Sequence, residues 1–189
     1  MVKIAHAEEV LEIPPSVKLN LDGKKITVEG KLGKITKDYS HARVVTFTKK
    51  DNQLVFSVDF PRKRDRALLP TLVAHVQNQI LGVTKGFTYK MKIVHAHFPF
   101  TVENKGDEII VSNFLGERGT RVVQKVGDVK VQITKEDVIV SGIDKEAVSQ
   151  TCGRLRLLTK IKKKDPRIYQ DGLFVFEKLV GDEVIWKVA

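Results

Sequence analysis

The chain aligns with itself, and this restricts its fold more than any single motif. Gly23, Ile26, Val28, Leu32 and Gly33 recur as Gly106, Ile109, Val111, Leu115 and Gly116, each 83 residues further on. Val45, Phe47, Leu54, Val55, Phe56 and Ser57 recur as Val129, Val131, Val138, Ile139, Val140 and Ser141 at a spacing of 84, and Gly86-Phe87 as Gly172-Leu173 at 86. Inserted loop residues account for the drift, and the match spans a whole unit. Such a duplication predicts two small domains, each with its own core. With 42% hydrophobic and 30% charged residues, the 189-residue chain can bury both. The boundary is expected near residues 95–99. It separates an N-terminal repeat domain, 1–96, from a C-terminal one, 97–189, which carries a basic loop and ends in a short hydrophobic tail, 179–189.

Both units show the same order of elements. Residues 17–21 alternate apolar and polar, as a half-buried strand does. Asp22-Gly23 marks a tight turn, because glycine accepts positive φ at little cost. Residues 25–30 form the returning strand, and 44–48 and 54–60 a second hairpin. Leu68, Leu69, Leu72, Val73, Val76 and Ile80 then share one face of a helix that stops near Gly82. Pro70 is expected near that helix's first turn, since an interior proline breaks the hydrogen-bond ladder. Residues 87–94 read as the strand that closes the unit. The second unit repeats the plan with strands over 100–103, 108–112, 129–133 and 138–141. Its helix is capped by Asp144, with Val148, Cys152, Leu155 and Leu158 inward, and a closing strand covers 173–178. Local hairpins covered by one helix make the class α+β: a tandem duplication of a small, mainly antiparallel β-sheet unit packed with one α-helix.

Lysine and arginine exceed aspartate and glutamate by 33 to 23, a formal charge of +10 that points to a polyanionic partner. No apolar run approaches the ~20 residues of a membrane span. Residues 1–96 hold 17 basic and 9 acidic groups, and 97–189 hold 16 and 14. In the second unit the cations crowd one stretch: Arg154, Arg156, Lys160, Lys162, Lys163, Lys164 and Arg167, opposed by Asp165 alone and joined by Tyr169. Cations meet phosphates, and a ring can stack on a base or pack on a sugar. The same run also fits an ordinary solvated loop. A second candidate is Asn113-Phe114-Leu115-Gly116-Glu117-Arg118-Gly119-Thr120-Arg121. There the glycines permit close backbone approach, and Arg118 and Arg121 supply charge. Its counterpart at 30–37 has the same character, and both also fit flexible inter-strand loops.

Catalytic chemistry is not indicated. No phosphate-cradling glycine loop, zinc-protease motif or nucleophile elbow is present. A lone Cys152 excludes an intrachain disulfide and a multi-cysteine metal site, and reads as a small buried hydrophobe. His95 and His97 would share a face of a strand, but no third ligand is fixed by spacing, so packing or hydrogen bonding is the expected role. No catalytic residue, metal or cofactor is therefore expected. A transient RNA-binding or assembly factor and a protein-only scaffold are the competing non-enzymatic readings; the clustered cations argue against the scaffold.

The run His75-Val76-Gln77-Asn78, then Gly82-Val83-Thr84, Gly86-Phe87, Tyr89-Lys90-Met91 and Ala96-His97-Phe98-Pro99, closely resembles large-subunit ribosomal protein six in its archaeal and eukaryotic form, numbered nine in eukaryotes. Asn113-Phe114-Leu115-Gly116-Glu117 and Asp171-Gly172 continue the resemblance, which covers nearly all of the chain except the tail. The resemblance implies a tandem α+β fold, cytoplasmic residence in the ribosome, and binding of large-subunit ribosomal RNA. It places the protein beside the sarcin-ricin loop and the stalk base, among neighbouring ribosomal proteins and close to where translational GTPases dock. It also implies that the second domain makes most RNA contacts. The family's RNA-contacting loop falls on Lys160, Lys162, Lys163, Lys164, Arg167 and Tyr169, and its Asn-Phe-Leu-Gly-Glu loop on Asn113, Gly116 and Arg118.

Overall fold

A computed structural model describes residues 5–162, 164–165 and 167–188. Two compact units divide it, Met1–Lys85 and Gly86–Ala189. The first opens with β1 (His6–Glu12), followed by β2 (Lys18–Asp22), β3 (Lys25–Gly30), β4 (Gly33–Asp38), β5 (Thr46–Lys50), β6 (Gln53–Asp59) and α1 (Lys63–Thr84). All pairing is antiparallel, in two three-stranded sheets of order β1-β6-β5 and β2-β3-β4. Helix α1 lies against β1, β3, β4 and β6. The core it closes holds Ile26, Val28, Leu54, Phe56, Leu69, Leu72 and Val76, the alternate strand residues and helix stripe expected.

The second unit repeats the series with β7 (Phe87–Val94), β8 (Thr101–Lys105), β9 (Glu108–Ser112), β10 (Thr120–Gln124), β11 (Lys130–Ile133), β12 (Asp137–Gly142) and α2 (Lys145–Leu158). It then adds β13 (Gly172–Val180) and β14 (Glu183–Lys187). Its sheets run β10-β9-β8 and β11-β12-β7-β13-β14. Here β7 does not close the first unit, as its position after α1 suggested. It opens the second, taking beside β12 the place that β1 takes beside β6. The structural division therefore falls at 85/86, ahead of the expected 96/97. Lys90 moves with β7 and pairs with Glu177 of β13 at 2.6 Å. The tail also differs from a loose end. Leu179 and Val180 finish β13, Gly181 turns at φ +59°, and β14 folds back as an exposed edge strand. Trp186 stays 44% exposed there, with the Lys178 ammonium 4.9 Å from its ring.

Helix α1 runs through Pro70 instead of starting beside it. The proline removes the donor for the Arg66 carbonyl, but both residues are exposed, so water can take that acceptor. Asp65 Oδ2 accepts from Arg62 N at 3.0 Å at the helix entrance. At its other end the β3–β4 hairpin sits on the last turn, where Leu32 N donates to Val83 O at 3.0 Å. A Cβ at Gly30 would come 2.7 Å from Val83 Cγ2 and 2.9 Å from Val83 O. Gly30→Ala is therefore expected to destabilise the protein by roughly 1–3 kcal/mol, since backbone cannot yield as a flexible side chain does. Gly153, exposed within α2 with open space at its Cβ, should behave oppositely. Gly153→Ala is expected to stabilise by up to about 1 kcal/mol. Urea unfolding of the full chain measures both, and equal midpoints would refute the packing account.

Candidate nucleic-acid interface

The two basic segments proposed for RNA lie in the second unit, and the structure brings them to one cleft, while the counterpart at 30–37 belongs to the first unit. The first follows β9. Asn113 (φ +61°), Leu115 (φ +53°) and Gly116 (φ +76°) all adopt left-handed backbone, a strained conformation for the two non-glycines. Tertiary contacts hold it. Phe114 is fully buried, edge-on to Phe100 at 5.3 Å, and Asn113 Nδ2 donates to Pro99 O at 2.9 Å.

Arg121 is spent on this turn. Its Nε and Nη2 donate to the two oxygens of Glu117 at 2.9 and 2.5 Å, and Nη1 donates to Leu158 O at 2.6 Å. Its Cζ also sits 4.5 Å from the centroid of the Phe114 ring. The bidentate Arg121 hydrogen bonds hold the Glu117 carboxyl below its usual range. Arg121 thus ties the turn to the end of α2 and already has its counter-charge. Arg118 is exposed and makes no ion pair or hydrogen bond among the described residues.

The second segment leaves α2 at Thr159. Its buried hydroxyl donates to Leu155 O at 3.1 Å and accepts from Leu173 N at 3.1 Å, tying the helix end to the start of β13. Between those points runs the basic loop. Lys160, Lys162, Lys164 and Arg167 are exposed, while Lys163 lies outside the described residues. Asp165, the one opposing charge, is occupied locally. Its Oδ1 accepts from Arg167 N at 2.9 Å and its carbonyl accepts from Tyr169 N at 3.0 Å. Arg154 donates to Gln124 O at 3.2 Å, and the Arg156 guanidinium lies 4.2 Å from the Phe174 ring centroid. Leu115 and Arg121 from one segment and Lys160, Lys162 and Lys164 from the other line a shared cleft of about 540 Å³. A second cleft, about 480 Å³, lies among Arg156, Lys160, Tyr169 and Phe174.

Tyr169 is a post more than a free stacking platform. Its ring stacks on His97 at 4.4 Å, and the Lys164 ammonium sits 4.3 Å from its centroid. Beneath is Asp171, whose importance charge patterning did not reveal. Its Oδ1 accepts from Ala96 N at 2.6 Å and His97 N at 3.1 Å, and its Oδ2 lies 2.9 Å from His97 Nδ1. That nitrogen carries the proton, since a carboxylate offers none. Burial pushes the Asp171 carboxyl up, but the His97 ring and the two backbone donors outweigh it, and the carboxyl titrates below its ordinary value. A buried aspartate needs partners, and an Asp-Gly pair reads as a turn, so nothing in the sequence pattern alone pointed to it. The chain leaves β7 at Val94, so His95 and His97 do not share a strand face. No group of three metal-ligating side chains occurs among the described residues. Cys152 is buried, which pushes its thiol up to about 12, and it serves as core. No described helix is long and apolar enough to cross a membrane.

The family model for ribosomal protein L6 matches the chain twice, over residues 13–86 and 98–172, leaving β7 between the copies. The large ribosomal subunit protein uL6 of Aeropyrum pernix is 43% identical over 180 residues, spanning 95% of this chain and 99% of that protein. That of Methanosphaera stadtmanae is 44% identical over 179 residues, spanning 94% and 97%. That of Methanobrevibacter smithii is 42% identical over 178 residues, spanning 94% and 99%. With the duplicated unit matched in both copies and similarity along nearly its whole length, the chain belongs to the ribosomal protein L6 family, in its archaeal form.

Proposed function

We propose that the chain binds large-subunit ribosomal RNA through the basic face of its second unit, beside the sarcin-ricin loop and the stalk base where translational GTPases dock. Family membership makes it a structural, non-enzymatic protein of the large ribosomal subunit, working in translation in the cytoplasmic ribosome and bound to RNA and neighbouring ribosomal proteins. The observation that carries the RNA face is the meeting of two segments some forty residues apart around one cleft. Lys160, Lys162 and Lys164 line it and are exposed, Arg118 and Arg167 are exposed on the same two segments, and the local carboxylates Glu117 and Asp165 are already engaged. Exposed cations neutralise phosphates, release counterions and fix register on folded RNA; shape and backbone do most of the reading. The placement beside the sarcin-ricin loop is drawn from the family resemblance. Ultraviolet crosslinking of the intact large subunit, with mass spectrometry of the RNA-bound peptides, tests both parts. Crosslinks within residues 113–121 and 160–169 to sarcin-ricin nucleotides are expected. Crosslinks in these peptides to other RNA would discard the placement alone, and their absence would discard the face.

A further inference from the structure

The first unit carries an unexplained aromatic at the entrance to α1. Phe60 has φ +47°, a left-handed backbone that costs a bulky residue energy, and its side chain is 78% exposed. Neither the strain nor the exposure helps folding. The position is nonetheless fixed, since Phe60 N donates to Ala5 O at 2.8 Å. Around the ring lies a cleft of about 780 Å³ whose walls include His41, Arg43, Val44, Arg62 and Arg64. Val44 is also 55% exposed, and the three guanidinium groups make no ion pair or side-chain hydrogen bond among the described residues. The two carboxylates of the cleft are engaged, Asp59 with His6 Nδ1 at 2.7 Å and Asp65 with Arg62 N at 3.0 Å.

The duplication supplies an internal control. The equivalent connection in the second unit places Asp144 at the helix N-cap, its side chain accepting from Glu146 N at 3.1 Å. The first unit puts Arg62 at that position, a residue with no acceptor, directly after the exposed Phe60 and Pro61. One copy gives the connection to capping; the other gives it to a bare ring among unpaired arginines.

We propose that this cleft is a second RNA-contact site, where an unpaired nucleobase stacks on Phe60 while its flanking phosphates lie on Arg43, Arg62 and Arg64. Structured RNA offers such bases at bulges and loops, and a π-face with adjacent phosphates matches this arrangement. An apolar protein partner covering Phe60 would have to strip water from unpaired guanidiniums beside it, at a cost that RNA phosphates offset. The proposal rests on the RNA-binding reading above, so its test separates the two. The full chain is titrated with large-subunit ribosomal RNA as wild type, as Phe60→Gly, as Phe60→Tyr, and with Lys160, Lys162, Lys164 and Arg167 changed to alanine. Glycine accepts the left-handed backbone, so Phe60→Gly keeps or raises the unfolding temperature. It is expected to weaken RNA binding about 5–20-fold, with Phe60→Tyr close to wild type. Wild-type affinity for Phe60→Gly beside a weakened basic-loop variant overturns this site and leaves the other standing. Loss of a crosslink from this region to a neighbouring protein, at unchanged RNA affinity, overturns it in favour of a protein contact. Wild-type protein that fails to bind the RNA overturns both.

Discussion

Changing Lys160, Lys162, Lys164 and Arg167 together to alanine is expected to flatten the salt dependence of binding to large-subunit ribosomal RNA. Each phosphate neutralised contributes close to one unit to the slope of log K against log salt, so the slope should shrink by roughly 3–4. Between about 50 and 200 mM salt the wild type should then lose roughly 100-fold more affinity than the variant. These four are chosen because their charge is exposed; Lys164 rests on the Tyr169 ring yet keeps its ammonium donors. Arg121 is the internal contrast. Glu117 already neutralises it and Leu158 O takes another of its donors, so Arg121→Ala should lower stability with little change in slope. The measurement is a filter-binding or fluorescence titration across a salt series, with unfolding curves confirming that each variant folds. An unchanged slope in the folded quadruple variant would remove this loop from the RNA.

That contrast shows where the sequence stops being readable. Charge runs name a segment, but not which cations the fold has already used: Arg121 shares its segment with Arg118, and Arg154 and Arg156 share theirs with Lys160 and Arg167, yet these three have contacts inside the unit. Strands with an inward face were legible, since Ile26 and Val28 alternate with polar residues, Ile109 and Val111 hold the matching positions two apart in the second unit, and all four are buried. Among the outer strands, β1, β4, β10 and β14 were not. In β1 only Leu11 is buried among glutamates, in β4 only Ile35, and β10 has no buried residue; charge on such strands keeps an edge from pairing with other chains. The allegiance of β7 was illegible for another reason. Its residues are as apolar as a closing strand requires, and its partners, β12 and β13, lie some fifty and eighty residues downstream. Local pattern specifies a strand but not its neighbour. Pro70 misled in the same way, because the penalty for an interior proline depends on whether the freed carbonyl meets water.

Replacing Asp171 by asparagine is expected to remove about 2–4 kcal/mol of stability near neutral pH and to loosen the basic loop. Its buried carboxylate receives two backbone N–H groups and the His97 ring, and hydrogen bonds to a charged acceptor are worth about 1.5–3 kcal/mol each, of which the asparagine oxygen keeps a part. An amide accepts through one oxygen only and presents donors where the carboxylate accepted. His97 would lose its anchor, and Tyr169, stacked on it, its support; RNA affinity should fall with stability although neither residue carries the charge of the loop. The pH dependence gives the test its specificity. The folded protein holds the Asp171 carboxyl below its ordinary value of 3.8, so the charged form is the one the fold favours. That contribution is complete above the unfolded-state value and is lost as the pH falls through the lower folded-state value. The stability gap between wild type and Asp171→Asn should therefore be widest above about pH 5 and narrow as acid protonates Asp171 in the wild type. Urea unfolding at a series of pH values reads it directly. His97→Ala, which removes the ring and keeps both backbone donors, should show a smaller gap with the same acid limb. A gap that is constant from neutral pH into acid would mean that Asp171 acts through shape alone and that its charge holds nothing in place.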